Sequence, residues 1–146
     1  MEIFTIGFTK TTAEDFFGRL KANRIERLLD VRLNNRSQLA GFAKRDDLEY
    51  FLRELIGAAY EHEPRLAPSQ EILDSYKKKG AMPWAEYEER FLALMRQRSI
   101  ETELNRSGFD KRTVLLCSED TPDRCHRRLV AEYLAEHWGD IEIVHL

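Results

Sequence analysis

Cysteine is scarce in this chain, with two in 146 residues. That is too few for a disulfide-stapled scaffold and implies free thiols in a reducing cytosol. The opening "MEIFTIGFTK" lacks the basic start and the long apolar core of a secretory leader. No apolar run is long enough to cross a bilayer. An excess of positive charge is missing too. The formal net charge is −3, which argues against a protein that coats nucleic acid through bulk charge but leaves a local basic site open. Internal repeats and low-complexity tracts are absent. The remaining composition is that of an ordinary soluble protein. The length suits one domain, residues 1–146, able to bury a core without metal or disulfides.

The chain alternates two kinds of pattern. "EIFTI" (2–6) is short and β-rich and runs into Gly7, so it reads as a strand. Thr12 and Asp15 resemble a capping box, and Phe16, Phe17 and Leu20 make one apolar face of a helix. "IERLLDVR" (25–32) reads as a second strand, and the loop "LNNRSQLAGFAKR" follows it. From Asp46 on, Leu48, Phe51, Leu52 and Leu55 recur at helical spacing. "AAYEHEP" (58–64) is a weak strand ended by Pro64. "SQEILDSYKKKG" (69–80) is a short helix with lysines in its last turn and Gly80 after it. A longer amphipathic helix carries Trp84, Tyr87, Phe91, Leu94 and Met95. "TVLLC" (113–117) is the best strand, an unbroken apolar run. A helix is expected from about Pro122 with Thr121 as its cap, burying Leu129, Val130, Tyr133 and Leu134. "IEIVHL" closes the chain as a strand. The order predicts a three-layer α/β domain with a mostly parallel, Rossmann-like βα arrangement and right-handed crossovers.

Ligands of such sheets bind at the carboxyl ends of strands. "LLDVR" ends in Asp30 and Arg32, and "TVLLC" in Cys117, Ser118 and Glu119. The first strand adds Gly7 and Thr9, where backbone can approach a ligand closely. If these strands are parallel, the side chains are expected to meet at one rim. Asp30 and Glu119 are then candidate general bases or metal-holding groups, and Arg32 a fork for phosphate or carboxylate. The plainer alternative for Asp30 is a salt bridge that positions the loop. Arg32, Arg36, Lys44 and Arg45 make that loop basic, which points to a small anionic ligand or a nucleic-acid end.

Cys125, His126 and Arg127 open the expected last helix. A helix start favours a thiolate at Cys125, and the His126 imidazole beside it is a candidate for proton transfer. A phosphatase-like nucleophile at Cys117 is disfavoured. Asp123 stands six residues on, where those enzymes place an arginine, and the intervening loop is acidic and has no glycine. A zinc site from Cys117, Cys125 and His126, with His62 or His145, runs against the usual paired spacings. Cys125 and His126 are expected to diverge on a helix, so no metal ligands are assigned. Packing remains the plain reading of both cysteines.

These stretches together resemble the domain of unknown function 488 family of small prokaryotic proteins. The resemblance rests on "TIGFT", "DVRLNNRSQLAGF", "YEHEP", "CSE" and "CHR", in that order across nearly the whole chain. It implies an α/β fold and site positions at Asp30, Arg32, Ser37, His62, Cys117, Glu119, Cys125, His126 and Arg127. It does not supply a reaction, and the cofactor is left open. Two departures stand out. Phe8 and Thr9 occupy places where the family often has His and Ser, and "RLAPS" replaces a Leu-Gly-Gly segment. The expectation is a cytoplasmic enzyme acting on a small phosphorylated or nucleic-acid-derived substrate. A non-catalytic binding module and thiol- or metal-dependent chemistry are the alternatives.

Overall fold

Residues 113–117 form strand β4 (Thr113–Cys117), with every side chain buried. Such a strand needs partners on both edges and cover on both faces. In the computed structural model, which describes residues 1–36, 40–77, 82–119 and 121–146, it has them. β1 (Glu2–Gly7) lies on one side and β2 (Arg27–Asp30) on the other. β3 (Ala59–His62) extends the sheet beyond β2, and β5 (Glu142–His145) extends it beyond β1. All pairings are parallel, in the order β3-β2-β4-β1-β5. The edge strands β3 and β5 are only partly buried, while the central three are nearly continuous apolar runs.

Period-two alternation divides the core. Phe4, Ile6, Leu28, Val114 and Leu116 face one layer, packed against Phe16, Phe17 and Leu20 of α1 (Ala13–Ala22) and Leu48 of α2 (Arg45–Phe51). Ile3, Leu29, Val31, Leu115 and Cys117 face the other. That layer holds α3 (Gln70–Lys77), α4 (Trp84–Arg98), α5 (Ile100–Glu103) and α6 (His126–Trp138). The result is the three-layer α/β architecture expected. Each large apolar side chain that is fully buried contributes about 1.5–3 kcal/mol relative to exposure.

Local signals explain most boundaries. The Thr12 side chain accepts from the Asp15 N–H at 3.1 Å. Acidic residues in the first turn of α1 and basic ones in the last suit its dipole. α2 widens into a π-helical turn over Leu52–Ile56, and Gly57, at φ 68°, closes it in the left-handed region.

One boundary departs from expectation. The last helix begins at His126, not near Pro122, and Thr121 does not cap it. Cys125 occupies the N-cap position with extended backbone (φ −136°, ψ 137°) and no side-chain capping bond. Its N–H bonds the Pro122 carbonyl at 3.3 Å, which closes a separate turn first. Burial overrides the Thr-Pro capping signal, because this path takes both the Cys125 thiol and the His126 ring inside. Gly80 and the lysines just before it lie outside the described residues.

Candidate functional site

The polar ends of β2 and β4 lie side by side but project to opposite faces of the sheet. Asp30 pairs with Leu116, so the neighbour of Cys117 on its own face is Val31. The single shared rim expected for Asp30, Arg32 and Cys117 therefore divides in two.

On the α1–α2 face, Asp30 is fully buried and fully engaged. Arg32 grips it through a fork, Nε to Oδ1 at 2.8 Å and Nη2 to Oδ2 at 2.7 Å. The Arg32 N–H donates to Oδ1 at 3.1 Å, and the Tyr60 hydroxyl donates to Oδ2 at 2.6 Å. Arg32 Nη2 also donates to the Ala43 carbonyl at 2.8 Å, and its guanidinium stacks 5.2 Å above the Phe8 ring. Burial, then the Asp30 carboxylate, pushes the Tyr60 phenol well above its usual range. Asn35 Nδ2 donates to the Tyr60 oxygen at 2.9 Å. His62 Nε2 donates to the Arg32 carbonyl at 2.8 Å and so braces the same corner. This is the loop-positioning salt bridge, extended into a network.

On the opposite face, His126 Nε2 lies 2.6 Å from the Val31 carbonyl. A carbonyl only accepts, so Nε2 carries the hydrogen. That leaves Nδ1 facing Cys117 Sγ at 3.3 Å. Sγ of Cys117, Sγ of Cys125 and a ring nitrogen of His126 all lie within 4.8 Å of one another. All three residues are buried. Burial pushes the Cys117 thiol up. Cys125, Arg127 and a backbone hydrogen bond from Ser118 outweigh it and hold Cys117 below the ordinary thiol value. Burial and then Cys117 drive Cys125 well above that value. The depressed thiol is thus Cys117 at the strand end, whereas the helix-start argument had placed the effect on Cys125. Two chemistries fit this trio, a thiol–imidazole pair and a soft metal shell.

A cavity of ≈ 200 Å³ opens over the trio. Cys117, Cys125 and His126 line it from below, and Tyr76, Trp84 and Tyr87 wall one side. Trp84 stacks on Tyr87 at 4.9 Å between ring centres, and Phe91 lies tilted against the His126 ring at 5.4 Å. Exposed Lys77, Arg124 and Glu119 lie at its edge with Ser118 and Asn34.

The remaining expected residues hold the frame. A Cβ at Gly7 would sit 1.5 Å from the Glu119 carbonyl oxygen, so only glycine lets the chain leaving β4 cross here. The Thr9 N–H and hydroxyl both donate to the Ser118 carbonyl, at 3.0 and 2.5 Å. Arg127 is fully buried. Its Nη1 donates to the Glu119 carbonyl, its Nε reaches Thr5 Oγ1 at 3.4 Å, and its Nη2 has no hydrogen-bond partner among the described residues. Arg32 borders the cavity, but its side chain belongs to the Asp30 network. Ser37 lies outside the described residues. Sequence reasoning missed Arg124 and the aromatic wall. Tyr76 on α3 and Trp84 and Tyr87 on α4 look like core residues, and the last two share the stripe of Phe91 and Met95, so no local signal set them apart.

The fold and this buried strand-end trio define a class, a parallel α/β domain with a pocket at its carboxyl edge. A family model described as domain of unknown function DUF488 matches residues 12–134. The chain belongs to the DUF488 family. Comparison with curated proteins and with solved structures gave no match. Among the described residues, no helix is long and apolar enough to cross a membrane.

Proposed function

We propose that the protein is an enzyme acting on a small anionic substrate, phosphorylated or nucleic-acid-derived, bound in the cavity over Cys117. One observation carries the reading. Three buried side chains with converging sulfur and nitrogen atoms form the floor of a cavity that has Lys77 and Arg124 at its edge. Reactive groups collected under an open, partly apolar pocket are the usual mark of a small-molecule site. Among the described residues, Lys77 and Arg124 against the carboxylate of Glu119 favour an anion at the mouth. Trp84 and Tyr76, their rings inclined at 63°, offer an aromatic corner to a ring or sugar behind that charge.

In this reading the His126 ring, oriented by the Val31 carbonyl, takes or returns the proton that Cys117 exchanges with substrate. Glu119 stands close enough to the mouth to serve as a second acid or base. Asp30 and Arg32 hold the β2 corner and do not touch substrate.

Native mass spectrometry of gently purified protein, followed by calorimetric titration with the retained compound, tests the proposal. The expected result is a phosphorylated or nucleotide-like ligand whose affinity falls about tenfold or more in Arg124→Ala and weakens with salt, as for a lost charged contact. No retained compound, together with no binding of phosphorylated or nucleotide compounds in a broad screen, would overturn it. Binding without turnover would instead identify a non-catalytic module.

A further inference from the structure

The geometry points to a metal centre. We infer that Cys117, Cys125 and His126 bind one zinc-class divalent ion, with its fourth position open to the cavity. The inference deepens the cavity reading above, puts a metal-bound position in place of the Cys117–His126 proton exchange, and rests on that reading only for what the open position faces.

The spacing suits a first shell. Zinc–sulfur bonds near 2.3 Å and zinc–nitrogen bonds near 2.0 Å put tetrahedral ligand atoms roughly 3.5 Å apart. Cys117 Sγ and His126 Nδ1 are 3.3 Å apart, and the full trio lies within 4.8 Å. Closing that shell asks the widest pair to approach by at most about 1.3 Å, from the 4.8 Å limit to roughly 3.5 Å.

The ring is oriented as a ligand. Nδ1 faces Cys117 Sγ at 3.3 Å, while Nε2–H donates to the Val31 carbonyl at 2.6 Å. An outer partner of this kind fixes the tautomer and raises the basicity of the ligating nitrogen. Two thiolates and an imidazole select a soft or borderline ion over magnesium or calcium. Two negative thiolates also neutralise a divalent ion at a site buried in the α4–α6 layer.

The site is open on one side. All three ligands line the same cavity, and among the described residues no fourth His, Cys, Asp or Glu joins the cluster. Structural zinc sites are closed by four protein ligands, whereas three ligands and a free position describe a catalytic one. Water or a substrate oxygen would fill that position.

The cysteines lie eight positions apart in sequence, and the Glu119 carbonyl just after β4 passes directly against Gly7. The extended N-cap conformation of Cys125 then turns its thiol to the same side as the His126 ring.

Cobalt(II) titration of the metal-free protein is the test. One cobalt per chain is expected, with intense visible bands of tetrahedral cobalt and a thiolate-to-cobalt charge-transfer band in the near ultraviolet. Zinc should displace it stoichiometrically. Cys125→Ser should weaken the charge-transfer band and lower affinity by more than the ~10–100-fold typical of a lost outer partner. Unfolding curves of the variant, and the wild-type titration by itself, keep the test independent of folding defects. Weak octahedral bands, or no binding in the wild type, would overturn the metal centre. If cobalt fails to bind while the anion screen succeeds, the enzyme reading survives with Cys117 as a metal-free thiol. If cobalt binds while the screen fails, the metal centre stands and the substrate assignment falls.

Discussion

β2 and β4 are neighbours, and both end in buried polar groups, but the groups are treated in opposite ways. At the end of β2, the Asp30 carboxylate takes four hydrogen bonds from Arg32 and Tyr60. Little capacity is left for a ligand. At the end of β4, Cys117, Cys125 and His126 mostly face one another, and His126 Nε2 is the one ring atom tied to a backbone carbonyl. Buried charge with satisfied partners is a structural device. Buried sulfur and nitrogen with unspent lone pairs under an open cavity are chemistry. The two corners lie one strand apart, which lets a rigid frame sit directly beside a site that has to exchange atoms.

The comparison is sharpest where the frame is cut. Asp30→Ala leaves Arg32 buried with only the Ala43 carbonyl, and the expected loss is about 3–5 kcal/mol, read as a lower midpoint in urea unfolding. Replacing both Asp30 and Arg32 with apolar residues should cost less than Asp30→Ala alone. A double variant as unstable as the single one would refute this account of the corner.

Tyr60→Phe should follow at about 1.5–3 kcal/mol, because the hydroxyl donates to an ionised carboxylate. Thermal melts are the check, and ligand or cobalt binding should be unchanged. Cys117→Ala should reverse that pattern. It removes one buried sulfur, costs about 1 kcal/mol of stability, and abolishes binding at the β4 corner. A variant that binds as the parent does would erase the contrast between the two strand ends.

The smallest effect belongs to a control pair. Arg65 grips Glu63 through the same two-pronged fork, at 2.8 Å on each side, but in a partly exposed setting. Glu63→Gln should cost no more than about 1 kcal/mol. The hydrogen bond from Arg65 holds the Glu63 carboxyl below its usual value. Its contribution is present above the ordinary carboxylate range and is lost as pH falls through the lowered value. Stability measured between neutral and acid pH should show a shallower acid slope in Glu63→Gln. Comparable losses from Glu63→Gln and Asp30→Ala would mean that burial does not set the difference.

Much of the fold was legible, because long periodic segments carry it. "TVLLC" is β4 to the residue, and the Thr12 cap does what its spacing implies. The Asp30–Arg32 pair was legible too, since two residues apart on a strand means one face. The same rule contained the error over the shared rim. Two parallel strands meet in a register that the sequence does not state, and a shift of one residue moves a side chain to the other face. The trio was hidden for another reason. Helical geometry separates adjacent residues, but Cys125 is extended and only His126 is helical. No local propensity announces that break. It comes from burying two polarisable side chains against Cys117.

The strand order has a consequence for how the chain must assemble. β1 and β2 do not pair with each other, and β4, more than eighty residues after β2, stands between them. A nascent chain that has emerged only through α4 holds three strands, of which β2 pairs with β3 while β1 has no strand partner. Gly7, Arg32 and Cys117 acquire their relative positions in one event, when the final third arrives. Such long-range closure is slow compared with helix formation. The trio at the β4 corner should therefore appear only then, whereas the Asp30 network, drawn from β2, β3 and the loop between them, belongs to the part made first.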